Sequence, residues 1–191
     1  LRTSRGLGDV YKRQVDSGVD TVFVTDSSVD ADTGAGLNAL ELSLQDVGGT
    51  DIEFTVTDTA GAVASELSAT GDELDAANDV NVVGGTIDVA AADAVQDITA
   101  YDEIDSNYDI EDNAATLLST TGVDAVVDSG VDQVFVTDSS VDAATGAELN
   151  DLEIALEGVG GTDIEFTVTD SAGAVASELS SMTGDELDEA N

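Results

Sequence analysis

Residues 15–68 and 127–180 align without a gap at an offset of 112, and 45 of the 54 pairs are identical. The run VDSGVDTVFVTDSSVDA from Val15 to Ala31 returns as VDSGVDQVFVTDSSVDA from Val127 to Ala143. After one inserted residue near Met182, TGDELDAAN at 70–78 returns as TGDELDEAN at 183–191. Such a period means that one structural solution is used more than once, by units that stack or by modules strung in series. The first copy spans 15–126, and the second, 127–191, is truncated. Since the first runs on from Asn78 into Asp79-Val80-Asn81-Val82-Val83-Gly84-Gly85, the intact gene is expected to do the same after Asn191. Among the nine differences, Leu42 against Ile154 keeps an apolar side chain and the other eight involve polar or small residues. A buried stripe permits that pattern.

The first fourteen residues share neither composition nor pattern with the rest. They hold all four cations, Arg2, Arg5, Lys12 and Arg13. Asp9-Val10-Tyr11-Lys12-Arg13-Gln14 resembles the translation of a transposase mosaic-end sequencing adapter, GATGTGTATAAGAGACAG read in frame. Residues 1–14 are therefore expected to be an artefact and are excluded from fold reasoning.

Within the long period runs a shorter rhythm, β-branched runs alternating with Ala- and Leu-rich stretches. The runs Val22–Thr25, Ile52–Thr57, Val80–Val83 with Thr86–Val89, and Tyr108–Glu111 read as strands. The stretches Asp58–Leu67, Ala90–Ile98 and Asp112–Leu118 read as helices, several opened by Asp, Ser or Thr as an N-cap. Four strand–helix units at about 28-residue spacing imply parallel strands joined by right-handed crossovers. Stacked, they predict an α/β solenoid.

Leu40-Glu41-Leu42-Ser43-Leu44 alternates apolar and polar, and Gly48-Gly49 separates it from Ile52-Glu53-Phe54, which reads as a hairpin. A period of 112 residues also suits tandem β-rich immunoglobulin-like modules, the alternative architecture. Disorder is a third alternative, because a net charge near −41 on residues 15–191 approaches the composition of unfolded chains. Against it stands 41% apolar content in regular Val, Ile and Leu runs.

From Val15 to Asn191 there is no Lys, Arg or His, so 41 carboxylates have no internal cation to pair with. The chain also lacks Cys. These absences remove thiol nucleophiles, Ser-His-Asp triads, Schiff-base lysines, phosphate-loop lysines and zinc sites. Nucleic acid is excluded as a partner because phosphate contacts need Lys or Arg. No apolar run reaches the roughly 18 residues that span a bilayer, so no membrane insertion is expected of this segment. Two carboxylates can hydrolyse a glycoside. With 41 of them close pairs arise by chance, and a solvated acidic face is the better reading. No enzyme activity and no organic cofactor are expected.

Calcium is the one ligand with a chemical basis, since it takes six to eight oxygen ligands from loops rich in Asp. The candidates are Asp26, Asp30, Asp32, Asp138 and Asp142. Counted as an EF-hand from Asp30, the loop puts Glu41 twelfth, but Ala35 stands where the turn Gly belongs and Ala144 replaces Asp32 in the second copy. A second cluster, Tyr101–Asp112, has six acids in twelve residues and would gather ions loosely.

Tyr108-Asp109-Ile110-Glu111-Asp112-Asn113-Ala114-Ala115-Thr116-Leu117 is similar to the Y-x-I-x-D-x-A-x-x-L units of very large bacterial surface and secreted proteins. Val22-Phe23-Val24-Thr25-Asp26 and Val134-Phe135-Val136-Thr137-Asp138 fit the companion V-x-V-T-D run of that family. Residue 113 is Asn where Thr is usual, and the glycine-rich calcium nonapeptides that often accompany the family are absent. The resemblance implies an adhesin-like, extracellular or cell-surface protein whose repeats contact each other, surface glycans or other cells. Loss of Lys and the preference for Asp (29) over Glu (13) resemble proteins of halophilic or marine microbes. The expected function is a non-enzymatic structural or adhesive repeat segment, with a calcium-dependent binding module that folds on ion binding as the alternative.

Overall fold

The computed structural model describes residues 22–46, 48–70 and 74–181. Residues 1–14, assigned above to an adapter, lie outside them. In chain order the elements are α1 (Ala31–Gln45), β1 (Thr55–Asp58), α2 (Ala60–Thr70), β2 (Asp79–Ile87), α3 (Val89–Gln96) and β3 (Asn107–Asp112). Then follow α4 (Ala114–Leu117), α5 (Thr120–Val126), β4 (Val131–Val136), α6 (Ala143–Val159), β5 (Ile164–Glu165) and α7 (Ala172–Ser181). The fold is α/β. The five strands form one sheet in the order β1-β2-β3-β4-β5, and every pairing among the described residues is parallel. Immunoglobulin-like modules are built from antiparallel sheets, so this finding overturns the tandem-sandwich alternative.

Apart from α5, which begins at 120, and α7, which begins 29 residues after α6, helices begin at residues 31, 60, 89, 114 and 143, in steps of 29, 29, 25 and 29 that together fill the 112-residue period. Each begins with a small or β-branched residue pressed into the core, namely Ala31, Ala60, Val89, Ala114 and Ala143. Strands contribute alternate side chains, Val80 and Val82 from β2 and Tyr108 and Ile110 from β3, all fully buried. Burying one such side chain stabilises by about 1.5–3 kcal/mol.

The expected hairpin at 40–54 is wrong in its first half, which is the C-terminal part of α1. Leu37, Leu40 and Leu44 share one helical face and are buried, while Leu42, which strand alternation would put beside them, is 58% exposed. Glu41 is inward instead. Its Oε2 accepts from the Ile52 N–H at 2.9 Å and its Oε1 from Gln45 Nε2 at 3.1 Å, so a loop amide is satisfied by a helix carboxylate. Ile154, counterpart of Leu42, is also 58% exposed, so the apolar exchange between copies does not mark a buried stripe. In the eight differing pairs that are described, no member is buried.

Two strand expectations change in detail. Val80–Val83 and Thr86-Ile87 lie in one strand interrupted by a bulge, where Val83 pairs with Asn107 and Thr86 with Asp109, while Asp88 and Val89, expected to extend it, cap and open α3. Gly84 and Gly85 take φ values of +72° and +92° there, a region that side-chain-bearing residues rarely enter. Val22–Thr25 is not strand, although its counterparts lie in or beside β4, which is paired on both sides.

Candidate functional site

Carboxylates at the helix starts are the recurrent polar feature of this fold. Asp30, Asp88 and Asp142 are N-caps whose Oδ1 accepts from the third helical amide, at Thr33, Ala91 and Thr145, each at 2.8 Å. Asn113 caps α4 in the same way through Thr116 at 3.0 Å. Helices leave their first amides unpaired, and an extended Asp, Asn or Ser just before the helix supplies the acceptor. Asp30 is held below the usual carboxylate value by hydrogen bonds from the Thr33 side chain and then its backbone. Asp142 is held down by the Thr145 backbone and then its side chain.

A carboxylate from later in the chain, in β1 or past the ends of β4 and β5, also reaches each of three helix starts. Asp58 Oδ2 accepts from the Ala31 N–H at 3.0 Å, Asp138 Oδ2 from Ala114 at 2.7 Å and Asp170 Oδ2 from Ala143 at 3.2 Å. All three aspartates end a V-T-D run. Asp58 and Asp170 also turn Oδ1 onto their own next amide, at 2.7 and 2.6 Å. In these three runs the aspartate is thus a clasp to an earlier helix, whereas Asp26, which ends the fourth V-T-D run, lies exposed in a bend.

The calcium candidates are placed accordingly. Asp30 and Asp142 cap α1 and α6, Asp138 is a clasp, Asp32 lies exposed in the first turn of α1, and Asp26 lies exposed in a bend. In the 101–112 cluster, Asp102 Oδ1 accepts from Ile104 and Asp105 amides at 2.9 and 3.3 Å, and Asp112 Oδ1 from Asn113 at 2.8 Å. No group of three or more carboxylates among the described residues is arranged to hold a metal ion. Asp109 stands apart, its carboxyl raised by burial and then by the charge of Asp132.

A polar seam that sequence reading missed joins two successive units. Gln96 Nε2 donates to the Tyr108 hydroxyl and to the Ala125 carbonyl, both at 2.8 Å. The Tyr101 hydroxyl donates to Asp128 Oδ1 at 2.8 Å, which also accepts from the Gly130 N–H at 2.9 Å. Burial pushes the Tyr108 phenol up to about 12, and it raises Tyr101 further. Both phenols therefore keep their protons at physiological pH. The signal was the Tyr of the Y-x-I-x-D run, whose hydroxyl needs a partner once the ring is buried.

A groove of about 830 Å³ runs between α2 and α3, with Leu67, Ile87 and Ile98 in its wall and Asp75, Asp88 and Asp97 beside them. Asp88 is already committed to capping α3. No helix among the described residues is long and apolar enough to cross a membrane. The chain matches no protein-family model, no curated protein and no solved structure.

Proposed function

We propose that this chain is a segment of an α/β solenoid, a non-enzymatic spacer or adhesive stalk within a giant acidic protein exported to the surface of a halophilic or marine microbe. The observation that carries the proposal is the pitch. Helix starts recur at 29, 29, 25 and 29 residues, the strands pair in chain order, and clasps tie three helix starts to carboxylates 24–27 residues later. Units whose side chains contact only their neighbours extend without limit, which suits a molecule whose task is reach. The 41 carboxylates of residues 15–191 give such a stack a hydrated face that attracts cations and repels anionic surfaces.

Circular dichroism with thermal melting tests this, in dilute buffer, in molar NaCl, and in a few millimolar CaCl2 at matched ionic strength. Screening shortens the Debye length from about 10 Å near 0.1 M to about 3 Å at 1 M. NaCl alone is expected to raise the melting temperature of a cooperative α/β spectrum. Stabilisation by CaCl2 that matched NaCl does not reproduce would replace the stalk with a calcium-dependent binding module. Purified repeats that bind no cell, glycan or mineral surface would reduce the adhesive stalk to a spacer.

A further inference from the structure

The two copies give an internal comparison in which identical side chains sit in different surroundings. Val56, Ala60 and Val63 are fully buried, yet their counterparts are half-buried at Val168, exposed at Ala172 and half-buried at Val175. The sequence around them differs only in Thr59 against Ser171, and one neighbour is the same. Val29 pairs with Val56 as Val141 pairs with Val168, with the Thr57 and Thr169 amides donating back at 2.9 and 2.8 Å. What differs lies on the opposite side. In the first copy β2 pairs with β1, Val80 against Val56, while Gly85 lies over Ala60 and α3 packs against α2. The counterpart of Asn78 is Asn191, and residues 1–191 contain one copy of the sequence that forms β2 and α3.

The strand edge points the same way. Because Val141 takes the Thr167 carbonyl and the Thr169 amide, the Val168 N–H and C=O face away from it, as alternation in a parallel ladder requires. In the first copy that edge is the one β2 occupies. We infer that Val168, Ala172 and Val175 form a docking surface for one more strand–helix unit of the Asp79–Gln96 type, added in parallel at the Val168 edge. This rests on the stacked-unit reading above, and it specifies what the end of the stack accepts.

The test is to append a copy of residues 79–126 after Asn191 and follow amide hydrogen exchange residue by residue. The Val168 amide is expected to slow by about 100-fold or more, toward the rate of Val56, because local opening free energies follow burial and pairing. An unchanged Val168 rate overturns the inference, whether the added unit folds elsewhere or stays unstructured. Val56 in the same sample reports on the stack itself. If Val56 also exchanges freely, the stacked-unit reading fails; if Val56 is protected and Val168 is not, only the docking surface fails. Light scattering on the unextended chain closes the remaining route, since a dimer that protects Val168 would assign the surface to a second copy and overturn the proposal.

Discussion

Asp58 serves two places at once, one oxygen on the amide of Thr59 and the other on that of Ala31, 27 residues earlier. Replacing it with Ala leaves a half-buried helix start without its acceptor, and the expected cost is about 1 kcal/mol, read as a lower urea midpoint. Asp32→Ala is the contrast. The second copy already carries Ala144 there, so the midpoint should move by less than about 0.5 kcal/mol. Titration separates these carboxylates further. Asp30 and Asp142 are lowered in the fold, so their caps stabilise fully above the ordinary carboxylate value and are lost as pH falls through the lowered one. Asp109 has the opposite sign. Its ionised form is disfavoured by burial and by Asp132, so Asp109→Asn should raise the melting temperature at pH 7, with the gain vanishing below the ordinary carboxylate value. The candidate carboxylates were legible as residue types, and several as caps, because capping is local. Which of them reach across to an earlier helix was not, since a bond spanning 24–27 residues leaves no local pattern.

Elements in this chain take their energetics from their place in the sheet. Val56→Ala and Val168→Ala make the same change in the same local sequence, yet only Val56 is enclosed on both sides. The expected cost is about 2 kcal/mol at Val56 and well under half of that at Val168, measured by thermal melting of each variant. Strands and helices were readable where apolar spacing was unambiguous, as at Tyr108–Glu111 and Ala90–Ile98. The failure at 40–44 has a specific cause. Leu40, Leu42 and Leu44 satisfy a period of two and Leu37, Leu40 and Leu44 a helical period, and only the buried Glu41 bonded to Ile52 breaks the tie. Val80–Val83 with Thr86–Val89 was readable as one strand-forming run, and the positive φ angles of Gly84 and Gly85 make the bulge that joins its halves; its last two residues, Asp88 and Val89, cap and open α3 instead.

For the whole molecule, the 112-residue period was written plainly in the sequence, and its four-part division was close. The single step of 25 among steps of 29 was hidden because no residue type marks it. Deleting residues 1–14 removes every cation and is expected to leave the circular dichroism spectrum unchanged; loss of structure would make that segment part of the fold. The clasps have a consequence in time. At α1, α4 and α6 the carboxylate that closes the helix start comes 24–27 residues later, so as the chain is made from its N-terminus each of these starts stays open until that later segment has been added. At those three places the chain closes like a zip with one slider, a later segment locking an earlier one.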